Sequence, residues 1–226
     1  GLLVVPILLF GFGVLLERLL VRWLLGLDPL YNFLLTFGLS LILVDLVKLR
    51  YGVSGLPYDR PEILTGQLDV GELRLPTYQL FVFVFSLVIC LLVWLLMTRT
   101  RIGMNVRAAT EKSDLAQALG INVRRWVTPV FGFGIALAGL AGVLAAPFRA
   151  ITAEMGSDFV IILFAVVVIG GLGSIVGAVV AGFLVGLVEA FGQAYAPAFA
   201  QILIFVLMAV VVLARPAGLF GREEAT

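Results

Sequence analysis

The residue types that could do chemistry in this chain are concentrated in a glycine-rich stretch and a polar segment. The glycine-rich stretch, Val168–Gly177, reads Val-Ile-Gly-Gly-Leu-Gly-Ser-Ile-Val-Gly, and turns of this kind can cradle the phosphates of a nucleotide. Its Gly171, Gly173 and Gly177 are spaced G-x-G-x-x-x-G, which is longer than the dinucleotide-binding pattern, and the lysine of a phosphate-binding loop is missing. We therefore expect no nucleotide here. The glycines predict a helix break and close contact between helices.

Composition excludes several kinds of chemistry. The chain has no histidine and a single cysteine, Cys90, which lies in an apolar stretch. A zinc site of histidines and cysteines and a disulfide framework each need more of these residues. The carboxylates do not cluster as in a hydrolytic site, and no phosphate-binding loop is present that could hydrolyse ATP. We expect neither a cofactor nor an enzymatic activity of this chain.

The polar segment Thr98–Trp126 separates two apolar stretches and carries an excess of basic residues, which in a short loop between membrane spans indicates the cytoplasmic side. Within it, Ser113 suits a helix N-cap, Asp114–Leu119 is a helix-forming run, and Gly120 suits the position just after a helix end. We expect a short helix that docks on a partner protein, or else a solvated connector whose arginines only set the topology. Its basic residues are Arg99, Arg101, Arg107, Lys112, Arg124 and Arg125, and its acidic residues are Glu111 and Asp114.

The elements that must position these segments are membrane spans. Of the residues, 62% are hydrophobic and 13% are charged, and the mean hydropathy is +1.17. A soluble domain of this length has too little interior for so much apolar surface, so we expect an all-α, polytopic membrane helix bundle with about seven spans in one domain, residues 1–226. The net charge of +1 gives no reason to expect a nucleic-acid partner. The apolar stretches are Gly1–Leu16, Tyr31–Val47, Gln79–Met97, Val127–Pro147, Phe159–Gly192 with its break at Gly170–Gly173, and Gln201–Leu213.

Charges and prolines mark the ends of these spans. We interpret Glu17 and Arg18 as a solvated helix end, with a functional pair of charges as the alternative. Pro129 is placed in the first turn of its span, where proline is tolerated. The segment Leu49–Tyr78 is expected to be an external loop, and within it Gln67–Leu75 alternates polar and apolar residues, as a β-hairpin or an irregular loop would.

The orientation follows from counting crossings. With Thr98–Trp126 inside, both Leu49–Tyr78 and Phe148–Asp158 lie outside. The break at Gly170–Gly173 then makes three crossings between Asp158 and the tail, so the C-terminus is expected in the cytoplasm. The segments placed inside carry most of the basic residues, as the orientation requires.

Three groups of residues resemble the Liv-type permease subunits of branched-chain amino acid ABC transporters, an inner-membrane translocator family. In the polar segment, Asp114-Leu115-Ala116 followed by Gly120 also resembles the Glu-Ala-Ala…Gly coupling loop of ABC importer permeases, with Asp and Leu in place of Glu and Ala. The resemblance covers Leu15 to Gly221, and the family has further spans upstream, so the first part of the permease is expected to be missing. The three groups are Thr100-Arg101-Ile102-Gly103 with Arg107-Ala108 and Ala116…Gly120-Ile121-Asn122, then Gly170-Gly171-Leu172-Gly173-Ser174 with Gly177, and last Arg215-Pro216…Gly218-Leu219-Phe220-Gly221.

The resemblance implies a mechanical role. Two homologous permeases would form the pathway in a bacterial or archaeal plasma membrane, two ATP-binding cassette subunits would dock beneath them, and an external binding protein would deliver branched-chain or related amino acids. The implied ATPase-coupling residues are Gly103, Arg107, Ala108, Asp114, Leu115, Ala116, Leu119 and Gly120. The implied helix-break and packing residues are Gly170, Gly171, Gly173, Ser174, Gly177, Gly182 and Gly186.

The alternative is a secondary transporter or channel for small solutes. Ion-coupled carriers usually need charges inside the membrane. The candidates, Asp45 and Glu189, both fall near the ends of apolar stretches. An intramembrane enzyme ranks third, because the chain lacks histidine and clustered carboxylates.

Overall fold

The computed structural model of the chain falls into two compact units, Gly1–Ala153 and Glu154–Thr226, which are described separately. The structure describes residues 2–24, 28–55, 66–70, 73–111, 123–148, 151–171 and 173–221. The first unit contains α1 Val4–Leu16, a π-helical turn Glu17–Val21, α2 Arg22–Leu24, α3 Pro29–Tyr51, β1 Gln67–Val70, β2 Leu73–Pro76, α4 Thr77–Arg99, α5 Arg101–Glu111, α6 Val123–Ala145 and a 3-10 turn Ala146–Phe148. The second contains α7 Met155–Gly170, α8 Ile175–Tyr195, a 3-10 turn Pro197–Phe199 and α9 Ala200–Ala214.

Within the described residues, 6 helical segments are long and apolar enough to cross a membrane. A span needs about 20 apolar residues, and these segments have between 18 and 23. The shorter apolar helix α7 adds a further candidate. This confirms the helical membrane bundle and agrees with about seven spans. The 6 segments are Val4–Leu24, Leu30–Tyr51, Thr77–Arg99, Trp126–Phe148, Ile175–Tyr195 and Pro197–Ala214.

The first span is longer than the sequence predicts. It runs from Val4 to Leu24, because the helix continues through Glu17 as a π-helical turn and then as α2. Arg18 is exposed, but Glu17 is 0% exposed, so the interpretation of Glu17 as a solvated helix end is wrong. The physical reason is length: a helix that stopped at Leu16 would be too short to cross a bilayer.

In the first unit, α1 and α6 pack in antiparallel orientation through glycines. A Cβ atom added to Gly13 would lie 3.0 Å from the Cα atom of Gly132, and one added to Gly139 would clash with the Leu9 side chain. Leu9 of α1 lies against Gly139, and Gly13 lies against Gly132, so residue numbers rise along α1 while those of the contacted residues on α6 fall. Without side chains at these glycines the two backbones can approach closely, as small residues allow in membrane helices.

Pro129 lies inside α6 and not in the first turn, because α6 begins at Val123, earlier than the sequence predicts. A proline in a helix interior has no N–H to donate to the carbonyl one turn before it, so the helix is weakened locally. Asp28 and Pro29 mark the start of α3, with Asp28 as the N-cap and Pro29 as the first helical residue. The Asp28 carboxylate accepts a hydrogen bond from the Leu30 N–H at 2.9 Å, which caps the helix.

The hairpin predicted between the second and third spans is present. β1 and β2 pair antiparallel, with Gln67 opposite Pro76 and Val70 opposite Leu73. Directly after β2, the backbone N–H and the hydroxyl of Thr77 both donate to the Gly66 carbonyl, at 3.1 and 2.6 Å. These bonds tie the base of the hairpin to the first residue of α4.

The second unit is a bundle of three antiparallel helices, α7, α8 and α9. The helix break lies where the glycine content predicts it, since α7 ends at Gly170 and α8 begins at Ile175. At the opposite end, a Cβ atom added to Gly192 of α8 would lie 2.9 Å from the Cα atom of Ala200 in α9. The buried core of the bundle consists of Ala165, Ile169, Ala181, Val185 and Ile204.

Candidate functional site

The break between α7 and α8 is built from glycine backbone conformations and one serine cap. Gly171 and Gly173 have φ angles of +91° and +82°, which side-chain-bearing residues rarely adopt. The Ser174 hydroxyl oxygen accepts a hydrogen bond from the Gly177 N–H at 3.0 Å and caps the start of α8. Gly170 and Gly177 face each other so closely that a Cβ atom on Gly170 would lie 2.6 Å from the Gly177 carbonyl carbon.

The C-terminal tail closes this break. The last carbonyl groups of a helix have no partner within the helix and must find one elsewhere. The Leu219 N–H donates to the carbonyl of Ile169 at 2.8 Å, and the Phe220 N–H donates to the carbonyl of Gly170 at 3.2 Å. The tail therefore supplies two donors to the end of α7.

Glycines on both sides make the contact between break and tail possible. Gly218 has a φ angle of +80°, and a Cβ atom there would lie 2.6 Å from the Cα atom of Gly171. A Cβ atom on Gly171 would in turn lie 2.6 Å from the Cα atom of Gly221. The Arg215 guanidinium folds back and donates to the Leu219 carbonyl at 3.3 Å. Two sequence motifs that are far apart in the chain form one packed structure, which we call the break–tail clamp (residues 169–171, 173–177 and 215–221).

The remaining predicted packing glycines behave differently within this chain. Among the described residues, a Cβ atom on Gly173 would meet nothing within 4 Å, so its positive φ angle, and no close contact, is the requirement seen for it there. Gly182 is in ordinary contact with Val166 at 3.9 Å, and Gly186 faces open space in the described structure. Of the predicted packing glycines, Gly170, Gly171 and Gly177 therefore make close backbone contacts among the described residues, whereas Gly182 and Gly186 do not.

Part of the predicted coupling loop is described, as α5 and the turn before it. The Thr100 hydroxyl oxygen accepts a hydrogen bond from the Gly103 N–H at 3.2 Å, as an N-cap does. Gly103 lies against the backbone of Met97, where any side chain would clash, so its position is explained by the tight turn between α4 and α5. The predicted docking residues Asp114, Leu115, Ala116, Leu119 and Gly120 lie outside the described residues.

Helix α5 has a buried face and an exposed face. Val106 and Ala109 are buried, and α5 packs on α4 and on α6. Arg107 is exposed and Ala108 is half-buried, so of these two it is Arg107 that stands on the outer face. The exposed Met104, three residues before Arg107, gives that face an apolar side chain as well. Helix α5 belongs to the polar segment Thr98–Trp126, so this segment contacts two spans, α4 and α6.

The structure brings together two residues that the sequence does not pair. The Thr128 hydroxyl on α6 donates to Oε2 of Glu17 at 2.7 Å, and Glu17 is 0% exposed. The other carboxylate oxygen, Oε1, is buried and has no hydrogen-bond partner among the described residues. A signal for Glu17 exists in the sequence, because a first span of about 20 residues that starts near Val4 must include it. Nothing in the sequence identifies Thr128.

A second interhelical contact joins α4 and α6. The Tyr78 hydroxyl donates to the Leu144 carbonyl near the end of α6 at 2.9 Å, and Tyr78 is buried. Buried tyrosines usually find a hydrogen-bond partner, and this one satisfies a carbonyl in the last turn of a helix. The bond fixes the beginning of the third span to the end of the fourth.

Apolar spans packed through glycines, with an amphipathic helix joining two of them, define a polytopic membrane protein. The family model described as "branched-chain amino acid transport system / permease component" matches residues 2–212, and the chain belongs to this family. It is a multi-pass membrane permease of the plasma membrane.

Curated relatives agree with the family model. The chain is 31% identical over 221 residues to the high-affinity branched-chain amino acid transport system permease protein BraD of Pseudomonas aeruginosa, covering 95% of this chain and 71% of the relative. It is 29% identical to LivH of Escherichia coli K12 with the same coverage. The autoinducer 2 import system permease protein LsrD of Salmonella paratyphi B is 31% identical over 163 residues, which cover 68% of this chain and 48% of the relative. No solved structure matches.

Proposed function

We propose that this chain is the membrane permease subunit of an ATP-driven importer of branched-chain or related amino acids. The observation that carries the proposal is the family match over residues 2–212, which includes nearly every described span. Relatives named for branched-chain amino acid transport align with 95% of the chain. In this proposal ATP hydrolysis belongs to separate ATP-binding cassette subunits, and a second permease and an external binding protein complete the importer.

The described helices support a mechanical role for the polar segment Thr98–Trp126 on the cytoplasmic side. Helix α5 follows α4 after the single residue Thr100 and packs on both α4 and α6. A displacement of the segment is therefore passed to the ends of two spans. Nucleotide-driven closure of the ATPases would move the segment, and the spans would alternate between outward and inward arrangements as rigid elements.

The proposed docking element is a short helix over Asp114–Leu119. Leu115 and Leu119 are four residues apart, so on a helix they share one face and can serve as apolar anchors in a cleft of the ATPase. Ala116 and Gly120 would keep the approach close, and the exposed Arg107 would lie at the rim. Small interfaces of this kind depend on a few buried anchors.

The docking role is tested by replacing Leu115 with Asp, which would place an unpaired charge in the interface. We expect the variant to insert in the membrane and to accept the binding protein, while uptake per ATP hydrolysed falls by about tenfold or more, since loss of one anchor is of that order. The measurement is substrate-stimulated ATPase activity beside amino acid uptake in the reconstituted complex.

The matched control is Leu115→Met, which keeps an apolar side chain of similar volume and is expected to retain coupling. Pull-down of an ATPase with the wild-type chain and with Leu115→Met, but in reduced amount with Leu115→Asp, is the expected binding result. Unchanged coupling in Leu115→Asp would make the segment a solvated connector.

A further inference from the structure

A buried acidic side chain in the first span is not explained by packing. Glu17 is 0% exposed, and its Oε2 atom accepts the hydrogen bond from Thr128 at 2.7 Å. Its Oε1 atom is buried and, within the described part of the chain, has no hydrogen-bond partner. A buried acceptor without a donor is destabilising, and an apolar side chain of similar volume would avoid the loss. Stability therefore does not explain why an acidic residue occupies this position.

Both helices are locally weakened where this hydrogen bond joins them. On the first span, Glu17 begins the π-helical turn Glu17–Val21, an irregularity that often occurs at functional positions. On α6, Thr128 directly precedes Pro129, which removes one backbone hydrogen bond from the helix interior. Sharp bends in helices occur at irregularities of these two kinds. The Glu17–Thr128 bond thus connects the irregular turn of the first span with the proline position of α6, two points at which the helices can bend.

Beyond this bond, toward Val14 and Phe10, the first span and α6 pack closely on each other. A Cβ atom on Gly132 would lie 2.8 Å from the Val14 side chain and 3.1 Å from the Phe10 carbonyl oxygen, so the first span and α6 are in close contact here. On the other side, α6 runs back to Val123, its first residue, and so to the polar segment. Movement that enters from the polar segment reaches the Glu17–Thr128 bond before it reaches the tightly packed part.

We infer that the Glu17–Thr128 hydrogen bond transmits movement of the polar segment Thr98–Trp126 to the first span, with Glu17 as a positioning residue. This rests on the proposed function, because docking of an ATPase supplies the movement. The unpaired Oε1 atom is a cost in the present arrangement, and an arrangement that gave it a donor would be stabilised. This arrangement and one in which Oε1 had a donor would be the two discrete states of the joined helices that coupling between distant sites requires.

The experiment uses the complete complex in proteoliposomes and measures the amount of amino acid imported per ATP hydrolysed. Thr128→Val keeps the shape of the side chain but removes the hydroxyl donor. We expect a normal amount of assembled complex, ATP hydrolysis that is still stimulated by the binding protein, and an import ratio reduced by about tenfold, the factor that corresponds to one hydrogen bond to a charged group. Thr128→Ser keeps the hydroxyl and should restore the ratio to near the wild-type value.

The matched control is Thr36→Val on α3. The Thr36 hydroxyl donates only to carbonyls of its own helix, at 2.9 Å to Asn32 and 3.1 Å to Phe33, so its loss should leave the ratio unchanged. A wild-type ratio in Thr128→Val overturns the inference, while ATP-driven uptake by the wild-type complex keeps the proposed function intact. Loss of assembled complex in Thr128→Val but not in Thr128→Ser would show a merely structural bond and would also overturn it. Absence of ATP-driven uptake in the wild-type complex would overturn both.

Discussion

At the scale of single residues, the glycines that matter most are those that meet at the break–tail clamp. Gly171 and Gly218 both have positive φ angles; a Cβ atom on Gly218 would overlap the Gly171 backbone, and one on Gly171 would overlap the Gly221 backbone. Two independent requirements, backbone conformation and close approach, therefore fall on the same residues. Gly186 has neither requirement in the described structure, although it belongs to the same glycine-rich region.

Replacing Gly218 with Val is expected to destabilise the second unit by about 2 kcal/mol or more, because a strained backbone angle is combined with overpacking. The measurement is thermal unfolding of the purified protein in detergent. The control is Gly156→Ala in α7, a position without a positive φ angle where an added Cβ atom meets no described residue within 4 Å. An equal loss of stability in the two variants would contradict the role given to Gly218 in the break–tail clamp.

Sequence reasoning locates such glycines but does not separate their roles. A glycine chosen for its backbone angle, as Gly173 is, and one chosen for contact, as Gly177 is, look identical in a sequence. For Glu17 the residue type is misleading. An acidic side chain suggests a solvated position, and only the length of the span places Glu17 inside the bundle. Thr128 could not be predicted, because its partner is distant in the chain and pairing is set by tertiary contacts.

At the scale of elements, the tail acts as part of α7. Its N–H groups at Leu219 and Phe220 satisfy the last carbonyls of that helix, and Leu219 also packs on the core of the second unit. Helix boundaries followed from apolar length and from local signals such as Asp28 and Pro29, which are readable in sequence. The sequence does not show which tail residue lies opposite which residue of the break, because that pairing depends on tertiary contacts between the two backbones.

Truncation after Ala214 should expose the end of α7. We expect faster hydrogen exchange in its last turn, Val167–Gly171, and a loss of stability of about 2 kcal/mol, since two hydrogen bonds of about 1 kcal/mol each are removed. Truncation after Gly221 keeps both donors and serves as the control. Equal exchange in the two truncated chains would show that the tail is not a cap for α7.

At the scale of the whole molecule, membrane spans, glycine contacts and helix α5 in the polar segment agree with one function. The family match supplies the class of protein, and α5 packs on α4 and α6, as the proposed transmission of movement from the polar segment requires. Composition alone predicted the membrane bundle, because 62% hydrophobic residues cannot be buried inside a soluble domain of this length. Composition could not separate an ATP-driven permease from an ion-coupled carrier.

The most direct test of the central claim is uptake of radiolabelled leucine by proteoliposomes that contain this chain with its partner permease, ATPase and binding protein. The account predicts accumulation that requires both ATP and the ATPase subunit, and that persists when ionophores collapse proton and sodium gradients. Accumulation driven by an ion gradient in vesicles that contain this chain without an ATPase would contradict it and would favour a secondary transporter.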